Sequence, residues 1–148
     1  MRSGSSAGGE AAAGPGDGRL AAAGIRTEDG LRFCRGDEEL YRAVVEEFVQ
    51  SAEEKAKNLE AYYDAADWKN YVILVHALKS SARTIGAQPL SEAAAALEKA
   101  AREEDAVTIR QSHGRMMDQY RRVTDALDQY LHGGPDADGE ILEFIPGE

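Results

Sequence analysis

The chain has 148 residues, 43% of them hydrophobic and 30% charged, with 17 Lys plus Arg against 27 Asp plus Glu and a formal net charge of -10. That length holds one core of about 100 residues plus tails, and the acidic balance argues against attraction to nucleic-acid backbones or anionic membranes. A single cysteine, Cys34, excludes an intrachain disulfide and a thiolate metal cluster, and no apolar run approaches the roughly 18 residues of a membrane span, so a soluble cytoplasmic monomer without a metal site is expected.

Residues 1–24 are mostly Gly, Ala and Ser with Pro15. Such a composition cannot bury enough apolar area to offset the entropy of ordering it, and it lacks the apolar stretch of a signal peptide. These residues read as a flexible leader or an interdomain linker. Thr27 is the expected N-cap of a short helix reaching about Arg35, with Glu28 and Asp29 in its first turn and Gly36 ending it.

Asp37 caps a second, long helix with the stripe Tyr41, Val44, Val45, Phe48, Ala52, Ala56, Leu59, Tyr62 and Tyr63, broken at Asp64-Ala-Ala-Asp67. A third helix runs from Asp67 to near Gly86. The fourth starts at Gln88-Pro89, where Pro is tolerated in the first turn, and reaches about Glu103. The fifth spans about Asp105 to Leu131, with the stripe Val107, Met116, Met117, Tyr120, Val123, Leu127 and Leu131. His132-Gly-Gly-Pro-Asp stops it, and residues 132–148 form an acidic tail or linker with a small apolar cluster, Ile141, Leu142, Phe144 and Ile145. The fold class is all-α: an antiparallel up-and-down four-helix bundle over residues 25–131, with the Thr27 helix as a short additional cover.

The third helix carries the chemistry. On a wheel of about 100° per residue, Trp68, Tyr71, Leu74, Val75, Leu78, Ala82 and Ile85 form the core face. His76 lies opposite, among Lys69, Val72, Ile73, Lys79, Ser80 and Arg83. An exposed histidine sharing its face with three cations is not a core residue. From His76 to the turn at Gly86 is about 15 Å of helix, and the same distance back along the next helix arrives close to Glu98. A carboxylate there orients the imidazole by accepting from one ring nitrogen, which leaves the other as an outward nucleophile, while Lys79 stabilises an incoming phosphoryl group. The constellation lacks a substrate pocket, a nucleotide loop and a second nucleophile, so it is half of an active site. Val72, Ile73, Ser80 and Arg83 are the expected docking surface for whatever supplies the other half. His113 and His132 read as ordinary surface residues.

The run His76-Ala-Leu-Lys79-Ser-Ser-Ala82-Arg-Thr-Ile-Gly86-Ala87 resembles the signature of histidine-containing phosphotransfer (HPt) domains, as do Gly36-Asp37-Glu-Glu-Leu40-Tyr41 and Ala66-Asp67-Trp68 upstream. The resemblance covers roughly residues 24–131. It implies a four-helix bundle in which His76 is the phosphoacceptor, Lys79 the stabilising cation and Glu98 the ring-orienting group. It also implies response-regulator receiver domains and a hybrid sensor histidine kinase as partners, and Mg²⁺ supplied by the receiver rather than an intrinsic cofactor. Ser80 stands where the family usually has Gly, which predicts slower or more selective transfer. The competing expectation is a phosphorylation-silent helical adaptor, disfavoured by the intact His76, Lys79 and Glu98.

Overall fold

Asp37, Asp67 and Asp105 each start a helix by the same device. Asp37 Oδ1 accepts from the Leu40 N–H at 3.1 Å, Asp67 Oδ1 from Asn70 at 3.3 Å, and Asp105 Oδ1 from Thr108 at 3.2 Å, each satisfying one of the free N–H groups of a first turn. In the computed structural model, which describes residues 18–132, these caps open α3 (Glu38–Asp64), α4 (Trp68–Thr84) and α6 (Ala106–His132), and α5 (Gln88–Arg102) follows from Ala87 with Pro89 in its first turn. Two short helices precede them, α1 (residues 18–22) and α2 (Thr27–Phe33). The described residues contain no strand, and none of their helices is long and apolar enough to cross a membrane.

Apolar stripes decide the packing. Tyr41, Val45, Phe48 and Leu59 of α3, Tyr71, Val75, Leu78 and Ala82 of α4, Leu90, Ala94 and Leu97 of α5, and Met116, Tyr120, Val123 and Leu127 of α6 are buried together in one core. Each long helix packs on two others: α3 on α4 and α6, and α5 on α4 and α6. The contact positions run in opposite senses. Arg42 Nη2 donates to the Leu131 carbonyl at 3.1 Å, the Phe48 and Tyr120 rings meet edge-on at 5.6 Å, and Glu60 lies 3.2 Å from His113. Between α4 and α5, the Ser91 hydroxyl donates to the Lys79 carbonyl at 2.9 Å.

Thr27 is the first helical residue of α2 rather than its cap, and Arg26 holds the cap position without a side-chain bond. The Arg26 backbone N–H donates instead to the Gly86 carbonyl at 2.8 Å, tying α2 to the α4–α5 turn. This approach requires glycine, because Gly86 has φ of +90° and a Cβ there would overlap the Arg26 carbonyl oxygen. Structure also begins before residue 24, since Leu20 is fully buried against the core. Val107, assigned to the core stripe, is exposed in the first turn of α6. The readings of residues 1–17 and 133–148, the Ile141 cluster included, fall outside the described residues.

His113 is the largest departure. It is buried, with its ring stacked on Tyr63 at 3.8 Å and 4° and its Nδ1 2.8 Å from the Tyr71 hydroxyl. Burial, reinforced by Tyr63 and Glu60, pushes the Tyr71 pKa upward, so its hydroxyl stays protonated and donates to His113 Nδ1. The Nε2–H then donates to Glu60 Oε1 at 3.2 Å. His113 is thus a satisfied core histidine that links α3, α4 and α6, while His132 is exposed, as the sequence suggested.

Candidate functional site

The wheel of α4 buries Tyr71, Val75, Leu78 and Ala82 and so turns His76 outward. Its side chain is 53% exposed, and Nδ1 lies 2.8 Å from Glu98 Oε2. Glu98 comes from the facing position of α5 and is itself only 8% exposed. A buried carboxylate needs partners to offset its lost hydration, and Glu98 has three. Lys79 Nζ donates to Oε1 at 2.8 Å, Arg102 Nη2 to Oε2 at 2.7 Å, and His76 Nδ1 to Oε2.

Burial alone would raise the Glu98 pKa, but the hydrogen bonds from Lys79, Arg102 and His76 together outweigh it and hold the carboxyl down at about 2. Glu98 is therefore an anion at neutral pH and can only accept. The hydrogen between it and the imidazole belongs to Nδ1, so the neutral form of the ring has its lone pair on Nε2.

The residues singled out from sequence divide into two groups. His76, Lys79 and Glu98 form one hydrogen-bonded cluster, in which the Lys79 ammonium rests on Glu98 rather than standing free for an incoming group. Around it, Ile73 is exposed and Val72 half-buried beside Trp68, Lys69 and Arg102. Ser80 is exposed at the edge of a groove between α3 and α4, lined also by Val44, Phe48 and Lys55. Arg83 stands with its guanidinium 5.8 Å from the ring of Phe33, an exposed residue of α2.

Sequence reasoning missed Arg102 and Phe33. Arg102 was findable, because it lies one turn beyond Glu98 at the i,i+4 spacing that pairs side chains on one helix face. Among the described residues no group of three or more His, Cys, Asp and Glu side chains is placed to hold a metal ion.

A family model described as Hpt domain matches residues 43–133, a span that contains His76, Lys79, Glu98 and Arg102 and more than half of the chain. No curated protein and no solved structure matches the chain. Hpt domains are phosphocarrier modules of phosphorelay signalling, and their partners there are receiver domains. With its all-helical core, its exposed His76 and this match, the chain belongs to the Hpt domain family.

Proposed function

We propose that His76 carries a phosphoryl group on Nε2, taking it from and returning it to aspartates of response-regulator receiver domains, with a hybrid sensor histidine kinase as the upstream source. The observation that carries this reading is the fixed imidazole: Nδ1 is committed to Glu98 at 2.8 Å while the ring remains 53% exposed. In acceptance, the Nε2 lone pair attacks phosphorus of the receiver's aspartyl phosphate, the phosphorus–oxygen bond to the aspartate breaks, and its electron pair returns to the carboxylate. Positive charge develops on the ring as the new bond forms, and the Glu98 carboxylate faces it. On return the steps reverse and neutral imidazole leaves with its proton still on Nδ1.

Lys79 shares the Glu98 carboxylate with the ring, 2.8 Å from Oε1, and turns from it to the phosphoryl oxygens as they arrive, with Arg102 as a second cation. Mg²⁺ comes with the receiver, and this chain supplies no cofactor of its own. Ile73, Val72, Ser80 and Arg83 provide the docking face. The helix order and the opposed contact positions support an antiparallel up-and-down four-helix bundle, α3 to α6, covered at one end by α2.

The test is transfer from a phosphorylated receiver in the presence of Mg²⁺. The parent chain is expected to take up an acid-labile, alkali-stable label, and His76→Gln to take up none while keeping its helicity and thermal stability. A parent that binds receivers but stays unlabelled would instead mark a phosphorylation-silent adaptor.

A further inference from the structure

A second concave surface lies away from the histidine. It is a groove of about 720 Å³ between α3 and α6, and no residue of α4 or α5 lines it. Its floor is apolar and low: Val49, Ala52 and Ala56 from α3 face Met117 and Tyr120 from α6. Val49 and Ala56 remain partly exposed, and small side chains there let another backbone come close. The lining stretches, Val49 to Asp64 and Met117 to Asp128, correspond to about 22 and 16 Å of helix at 1.5 Å per residue. That length suits a helix of about three to four turns.

Charge selects the occupant. Five carboxylates, Glu53, Glu60, Asp64, Asp125 and Asp128, rim the groove against two cations, Lys57 and Arg121. Glu60 meets His113, Asp128 lies near His132, and Arg121 is paired with Asp118. Glu53, Asp64 and Asp125 have no ion-pair partner among the described residues. The His76 face leans the other way: Lys79 and Arg102 share the buried Glu98, and Lys69 and Arg83 lie nearby, against the rim carboxylates Glu103 and Glu104. A cationic segment is thus repelled from the histidine and attracted to the groove. The chain's own residues 133–148 are the nearest covalently linked candidate, but they carry Asp136, Asp138, Glu140, Glu143 and Glu148 and no cation, so the rim repels them.

We propose that the α3–α6 groove docks a basic amphipathic helix of a partner protein, its apolar side laid on Val49 and Ala56 above the buried Ala52 and Met117 and its Lys or Arg side chains on the acidic rim. Docking there leaves His76 free. A tether on this face raises the local concentration of receiver or kinase around the phosphoacceptor without occupying it. The docking itself stands apart from the role assigned to His76, whereas its effect on local concentration rests on that role.

The probe is a synthetic Leu/Lys amphipathic helix of about four turns, titrated into the isotope-labelled full chain, with a Leu/Glu counterpart as control. Amide shifts are expected along Val49–Asp64 and Met117–Asp128, with weak or no binding of the acidic counterpart. Filling the groove with Ala56→Phe should weaken binding at least about tenfold, and the surface change Asp125→Lys at least about threefold. Receiver-dependent labelling of His76 should stay unchanged in both variants. The proposal is overturned by shifts centred on the His76 face, by equal binding of the acidic peptide, or by no binding at millimolar peptide. It is equally overturned if deleting residues 133–148 uncovers the groove resonances, or if Ala56→Phe dissolves a dimer of the chain, since the occupant would then be the tail or a second copy.

Discussion

Glu98→Gln removes the charge on which the site is organised while nearly keeping its shape. The folded chain lowers the Glu98 pKa from 4.5 to about 2, which by linkage corresponds to about 3 kcal/mol of stability. The three donors are 53%, 31% and 59% exposed, and solvent screening of them reduces this to about 2 kcal/mol. Because the pKa is depressed on folding, the contribution is complete above about pH 4.5 and is lost as pH falls through about 2. Urea unfolding of parent and variant should show the variant less stable by about 2 kcal/mol at pH 7. The two curves should converge between pH 4.5 and 2, where the parent's carboxyl becomes protonated. Nitrogen chemical shifts should show the His76 hydrogen fixed on Nδ1 in the parent and shared between both ring nitrogens in the variant. A stability gap that stays constant across that pH range would mean that Glu98 is not held as a buried anion.

The other predictions concern its neighbours. Lys79→Ala should slow transfer between receiver and His76 by one to two orders of magnitude, about 1.4 to 2.7 kcal/mol of transition-state stabilisation; rates within twofold of the parent would leave Lys79 only as a partner of Glu98. His113→Ala should cost about 2 to 4 kcal/mol in urea unfolding, because it empties a buried stacking site and strands the Tyr71 hydroxyl, and it should leave transfer rates intact. A loss under about 0.5 kcal/mol would return His113 to the surface. Gly86→Ala should destabilise by about 2 kcal/mol or more in thermal melts, since φ of +90° and the Arg26 carbonyl both oppose a Cβ; a melt matching the parent would show that the α2 cover moves freely.

The site was legible in sequence because it depends on periodicity. One wheel placed His76 opposite Tyr71, Val75 and Leu78, and one rise per residue brought Glu98 level with it; both relations hold in the structure. The aspartate caps at positions 37 and 67 were legible for a similar reason, since capping is a local event. The burial of His113 has a signal in its spacing, since positions 113, 116, 117, 120 and 123 share one buried stripe of α6, but its polarity points to the surface. Its partners Tyr63, Tyr71 and Glu60 lie on two other helices, and no local pattern announces them. Leu20 is a sole large apolar residue in a Gly- and Ala-rich stretch, so its burial is a tertiary event without periodicity to mark it. Val107 is the opposite case, a member of the expected stripe that lies exposed in the first turn of α6.

The most direct test of the central assignment is to locate the phosphoryl group on the labelled chain. After transfer from a phosphorylated receiver, phosphorus–nitrogen and proton–nitrogen correlation spectra of the isotope-labelled protein should place phosphorus on Nε2 of His76, with a hydrogen retained on Nδ1. Phosphorus on Nδ1 of His76, on His113 or His132, or on no histidine at all would contradict the account.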